Sequence, residues 1–316
     1  MIKLPLPTIE QNIIATLAFF EIFDQPLNFE ELQRFLLGRL PGLPADLHSA
    51  LAKQIASGKI HEKNNYYFLA GLENNEKTVE MRLERQKIAQ KLWRKIKRFL
   101  PFIQMIPFIK MVAVCNTLAF DNPTPYSDID LFIVTAKNRL FIARTLTTIL
   151  FSVLGVRRHG HKIAGRFCLS FYVSEDGLNL EPIQLAPNDI YLPYWILSLR
   201  PIYGQKTYNK FMESNAWIKD YFSGKRQTPG QILPAKILLR LFAKFQELIF
   251  KGRFGDMIEE KLYKLQQKRH ARIAKTIDQS ASVVISRTML KFHLIDRRQE
   301  IAKKFAIHIQ NKIDNF

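Results

Sequence analysis

The sequence predicts an α+β protein in three parts: short helices with a hairpin, a small mixed sheet with flanking helices, and a basic helical C-terminal region. Three observations carry this. Apolar residues recur with helical spacing at both ends of the chain. The middle holds short strand-like apolar runs at 111–114, 127–134 and 167–174. The 316 residues also exceed what one hydrophobic core usually organises, about 250–300 residues. Expected boundaries are 1–72, a linker helix over 73–107, the sheet over 108–225 and the helical region over 226–316.

Residues 9–23 read as an apolar helix that Asp24-Gln25-Pro26 breaks. Asn28, with Glu31 three residues on, has the form of a capping box opening a helix through Leu37. A third helix spans Leu47–Ser57 and stops at Gly58, and residues 59–68 read as two strands around Asn64-Asn65. In element order this stretch resembles winged helix-turn-helix domains. The third helix offers only His48, Lys53 and Gln54 for reading bases or phosphates, so a structural or protein-binding role is favoured over DNA recognition. Residues 76–100 form a basic helix with Val79, Leu83, Ile88, Leu92 and Ile96 along its apolar side, and Pro101 is expected to end it.

The chemical signal is Ser127-Asp128-Ile129-Asp130-Leu131-Phe132-Ile133-Val134. Residues two apart on a strand share a face, so Asp128 and Asp130 converge, about 7 Å apart along the chain. Two carboxylates this close repel unless a cation lies between them, and a pair of oxygen ligands suits Mg²⁺ or Mn²⁺. Strand, turn, about a dozen residues and then Asp-x-Asp on a second strand resembles the DNA polymerase β superfamily of nucleotidyltransferases. The likeness runs from Met111 to about Glu175, and its longer reach through Asp296 resembles uncharacterised bacterial proteins pairing this domain with a winged helix. It implies a nucleoside monophosphate moved from a Mg²⁺-bound nucleoside triphosphate to an acceptor hydroxyl. Asp128 and Asp130 would be the catalytic metal ligands. Cys115, Asn116, Thr117 and Ser127 would line the nucleotide, with Lys137, Arg139 and Arg144 on its phosphates.

Two departures set limits. Where the family has Gly-Ser, this chain has Cys115-Asn116 followed by Thr117. Asparagine tolerates a left-handed turn and Thr117 can supply the hydroxyl, but triphosphate binding is expected to be weaker. The family's third carboxylate belongs on the strand Phe167–Ser174, which has no acid. Strict alternation there puts Cys168, Ser170, Tyr172 and Ser174 on one face, and only Glu175 and Asp176 at its end remain as candidates. The alternative from another class is a catalytically silent nucleotide- or nucleic-acid-binding protein on the same fold.

The charge of +19 favours a polyanionic partner. Residues 231–316 hold 18 basic and 8 acidic residues, about half of the excess, so nucleic acid is expected on the C-terminal region. Cys115 and Cys168 match no metal spacing and are expected as buried reduced thiols. The N-terminus lacks the apolar segment of a signal peptide, and the longest uncharged stretch, Thr145–Val156, falls short of a membrane span of about 20 residues. A cytoplasmic protein with no membrane contact is the expectation. His293 and Asp296 are expected to pair with each other at a structural junction.

Overall fold

The computed structural model describes residues 8–38, 45–70, 75–185, 189–222, 236–274, 282–293 and 296–313. The first elements form where local signals place them. Helix α1 (Ile9–Glu21) is capped by the Thr8 hydroxyl, which accepts from the Gln11 N–H. Asn28 caps α2 (Phe29–Phe35) in a complete capping box with Glu31. After α3 (Ala45–Ala56), strands β1 (Ile60–Lys63) and β2 (Tyr66–Leu69) pair antiparallel. Their turn needs two residues with positive φ, and Asn64 and Asn65 supply φ of 53° and 61°. Helix α4 (Asn75–Ile103) corrects the expected stop at Pro101. Its last turn continues because Leu100 and Ile103 are both buried, and that packing outweighs the proline.

The sheet is built from β3 (Ile109–Val114), β4 (Ile129–Thr135), β5 (Phe167–Ser174), β6 (Arg200–Tyr203), β7 (Ser282–Ile285) and β8 (Met289–His293), in the order β6-β3-β4-β5-β8-β7. Every neighbouring pair is antiparallel except β4 with β5. Between β3 and β4 lies the one-turn helix α5 (Asn116–Ala119), and α6 (Leu140–Val153) makes the crossover that a parallel pair requires. Helices α7 (Tyr191–Ser198), α8 (Gln205–Ser214), α9 (Ile237–Ile249), α10 (Gly252–Ala274) and α11 (Arg298–Ile313) complete the chain.

Two expectations are corrected. The C-terminal region is not purely helical, because β7 and β8 extend the central sheet beyond β5. Runs of four and five residues are too short for periodicity to separate strand from helix, and the edge of β5 decides. The second concerns β5 itself. Its partners on β4 step from Asp130↔Cys168 to Phe132↔Phe171, so β5 carries one extra residue, a bulge. Beyond it the faces exchange. Phe171 and Val173 lie on the side of Cys168, while Tyr172 packs with Phe167 and Ile133 on the other.

One face of the sheet packs Phe132 and Phe171 against Trp195 of α7, in a core continuous with Phe19, Phe20 and Phe305 of the terminal helices. Phe19 stacks on Tyr194 with ring centroids 4.0 Å apart, which ties α1 to α7. The other face packs Ile129, Leu131 and Ile133 against Leu92 and Ile96 of α4 and Phe141 and Phe151 of α6.

The loop from α5 to β4 is held by buried charge. Arg82 of α4 has no solvent exposure. Its guanidinium donates to the carbonyl oxygens of Phe120 and Asp121, at 2.9 and 2.8 Å, and to the Glu31 carboxylate. Asp121 in turn accepts from Trp93 Nε1 at 2.9 Å and Arg200 Nη2 at 2.6 Å. The N-terminal helices, α4 and β6 are thereby tied to the segment that leads into β4.

Candidate functional site

Asp128 precedes β4 and Asp130 is its second residue, so both side chains leave the same face at the end of the sheet where β3 finishes. Cys168 of β5 stands opposite Asp130 in register. One ligand atom each from Asp128, Asp130 and Cys168 lie within 4.8 Å of one another. Burial raises the Asp130 carboxyl to about 6, helped by repulsion from Asp128 and opposed by hydrogen bonds from Asn116 and Cys168.

Asn116 opens α5 with φ of 58°, the left-handed geometry that glycine would otherwise supply. Its amide oxygen accepts from Trp195 Nε1 at 2.9 Å, and the amide also hydrogen-bonds Asp130. Trp195 lies against Phe132 and Phe171, with ring centroids 5.3 and 5.4 Å away, so α7 closes over the carboxylate side of the sheet. Asn116 therefore bridges this aromatic roof to the carboxylate. No signal in the sequence marks Trp195 for that role, because its partner lies 79 positions away.

The cation at the site is Arg158. Backbone bonds between 156–158 and Phe167 bring it alongside β5. Its Nη1 donates to Asp128 Oδ2 at 2.7 Å and lies 3.9 Å from Cys168 Sγ. The basic run Arg157-Arg158 is visible in the sequence, but only the fold turns one of the two toward the pair.

Among the other expected nucleotide contacts, Cys115 is buried at the end of β3, where its N–H donates to the Asp130 carbonyl oxygen at 3.1 Å. Thr117 is exposed beside Asn116. The Ser127 hydroxyl accepts from the Thr124 N–H at 2.9 Å and is used within its own turn. Lys137, Arg139 and Arg144 are not brought to the pair. They follow the opposite end of β4, which is about 16 Å away by strand rise between Asp130 and Thr135. Lys137 is 4.0 Å from Asp176, Arg139 pairs with Asp256 at 2.7 Å, and Arg144 donates to Gln266 at 3.0 Å. Arg139 and Arg144 thereby dock α10, while Lys137 stays with the turn after β5.

Glu175 and Asp176 lie at that same distant end, where the Glu175 N–H donates to the Thr135 carbonyl oxygen. Among the described residues no third carboxylate joins the pair, and the third group of the cluster is the Cys168 thiol. Burial and both aspartates push the Cys168 thiol well above its ordinary range, so without a metal it is a neutral group beside the pair. Two carboxylate oxygens fit a hard divalent ion that keeps water in its shell. Asp296 pairs with Arg298 at 2.7 Å and Lys291 at 3.6 Å, and the side chain of His293, expected beside it, lies outside the described residues.

Without a cation, Arg158 compensates Asp128. An ion pair this exposed is worth about 0.5–1 kcal/mol. Replacing Arg158 by alanine is therefore expected to tighten Mn²⁺ binding roughly two- to fivefold in calorimetry. Weaker binding in the variant would show that Arg158 supports the cation site rather than competing with it.

Among the described residues no helix is long and apolar enough to cross a membrane. Comparison of the chain with protein-family models, with curated proteins and with solved structures finds no match in any of the three.

Proposed function

We propose that this chain binds a nucleoside triphosphate together with Mg²⁺ or Mn²⁺ at Asp128 and Asp130, and that it is a nucleotidyltransferase of the DNA polymerase β type. The observation that carries the reading is the arrangement around the pair. Two carboxylates share the start of β4, next to a left-handed turn at the end of an antiparallel neighbour. A bound divalent ion would supply charge neutralisation for the phosphates and the leaving pyrophosphate. The residues of the chain do the rest. Asp128 and Asp130 would hold the ion, while the turn at Asn116-Thr117 offers backbone N–H groups and the Thr117 hydroxyl to phosphate oxygens. Arg158, released from Asp128, is long enough to follow a phosphate.

The left-handed Asn116 supports one part of this reading and weakens another. The turn keeps the dihedral angle that glycine would give, yet its side chain is committed to Asp130 and Trp195. A second reading, nucleotide binding without transfer, is favoured by the Cys168 thiol as the third group of the cluster. A protonated thiol accepts no proton from an attacking hydroxyl.

Incubation with each labelled nucleoside triphosphate and Mg²⁺ or Mn²⁺ decides between them. Transfer predicts released pyrophosphate and a labelled acceptor, both abolished in Asp128→Asn. The silent reading predicts cation-dependent nucleotide binding, lost in the same variant, with no pyrophosphate. If neither metal nor nucleotide binding responds to Asp128→Asn, both readings fail.

A further inference from the structure

At the opposite end of β3 from the aspartates lies a cavity of about 490 Å³, between the end of α4, the start of β3, the N-terminus of α8 and one side of α9. Ligand cavities commonly fall between roughly 300 and 1,000 Å³. Four cations line it: Lys110, Lys206, Arg240 and Lys244. None of them forms an ion pair among the described residues. The one carboxylate in the wall, Glu247, accepts from the Phe108 N–H at 2.8 Å. Four positive charges gathered in a concave site with a single carboxylate among them repel one another, and an anion relieves this.

The polar groups of the floor point the same way. Gly204, with φ of 85°, turns the chain into α8 so closely under β3 that a Cβ there would lie 2.0 Å from the Lys110 carbonyl oxygen. The first amides of α8, those of Gln205 and Lys206, have no acceptor within the helix and carry its positive dipole end. Thr207 in the same turn is only 8 % exposed, and its hydroxyl has no hydrogen-bond partner among the described residues. Gln104 is 4 % exposed, and while its amide oxygen accepts from the Lys236 N–H, its amide nitrogen is likewise without a partner.

We propose that this cavity is a second site, distinct from the carboxylate pair, that binds a phosphate-bearing ligand. The amides and hydroxyl at the start of α8 and the Gln104 amide donate to phosphate oxygens, and the four cations neutralise them. Arg240 and Lys244 come from the flank of α9, whose neighbouring flank exposes Leu238, Leu241, Phe242, Phe245 and Leu248 at 49–80 %. A phosphate reaching the cavity can therefore belong to a soluble molecule or to a lipid headgroup beneath which α9 lies in the membrane interface.

The test titrates the full chain with inorganic pyrophosphate in calorimetry, and separately sediments it with vesicles of phosphatidylcholine with and without phosphatidic acid. The expected result is binding of pyrophosphate, of phosphatidic acid vesicles, or of both, weakened at least tenfold by Arg240→Glu with Lys244→Glu. Lys87→Glu with Lys97→Glu changes the net charge equally on the exposed side of α4 and is expected to leave binding within twofold. The titration is run in EDTA, so that the proposed cation-dependent nucleotide site does not contribute. Vesicle association lost in Leu241→Ser with Phe245→Ser assigns the phosphate to lipid, and pyrophosphate binding without vesicle association assigns it to a soluble ligand. No binding of either probe, or equal loss in both charge-reversed variants, overturns the proposal.

Discussion

Replacing Arg82 by alanine is expected to lower the stability of the protein by about 3–5 kcal/mol, the range for removing one partner of a buried ion pair. Arg82 is fully enclosed, and its guanidinium satisfies three acceptors at once: the Glu31 carboxylate and the carbonyl oxygens of Phe120 and Asp121. Truncation takes the donor from the Asp121 carbonyl and opens a cavity the size of the side chain. It leaves the Phe120 carbonyl only the long contact from Gln25 Nε2 at 3.5 Å and the Glu31 carboxylate only the Asn28 N–H at 3.1 Å. Glu31 decides how the loss depends on pH. Burial already raises its carboxyl above the usual range, and Arg82 is the main influence lowering it. Without Arg82 the carboxyl rises further and takes up a proton in the folded state, so the deficit grows as pH rises from acid toward neutral. Urea denaturation at pH 5 and pH 7.5 measures both effects. A loss below about 1 kcal/mol, or one equal at the two pH values, would show that water replaces the guanidinium and that Glu31 is not the residue left stranded.

Asp130→Asn is expected to do the reverse for stability while removing the site. The folded carboxyl titrates at about 6 against an ordinary 3.8, so between those values the folded state holds a proton that the unfolded chain has released. Stability contributed at this position is present below about pH 4 and is lost as pH rises through 6. The shift of about two pKa units bounds the loss at roughly 3 kcal/mol, and coupling to Asp128 and Arg158 reduces it. An uncharged amide escapes this penalty. The variant is therefore expected to be more stable than the parent by about 1–2 kcal/mol at pH 7.5, with the difference vanishing near pH 4. Cation binding should fall at least tenfold, the loss seen when groups around a metal ligand are altered, and the parent's own affinity should weaken as pH drops below about 6. Equal or lower stability of the variant at pH 7.5 would show that Asp130 is not destabilised by its surroundings.

How far the sequence reaches differs from element to element. The Asn28–Glu31 capping box and the Asn64-Asn65 turn were legible because each is a contract between neighbours a few residues apart. The shared face of Asp128 and Asp130 was legible for the same reason, since a strand alternates whatever lies beside it. The left-handed Asn116 follows from what asparagine tolerates.

What joins these pieces was decided in three dimensions. The bulge in β5 places Phe171 rather than Tyr172 beside Phe132, and nothing within 167–174 announces it, because register is fixed by the partner strand. Strands β7 and β8 exist as the edge of β5, and their short apolar runs fit helix or strand equally well when read alone. Lys137, Arg139 and Arg144 are near the aspartates in sequence, yet the extended strand between them carries them to the other end of the sheet. Arg158, 28 positions beyond Asp130, returns through the crossover to within 2.7 Å of Asp128. The sequence by itself determined the local turns, the caps and the convergence of two carboxylates, all of which rest on backbone geometry over a few residues. Only the tertiary structure decided which cation, which thiol and which indole surround that pair, because those contacts depend on strand order and register, which local geometry does not encode.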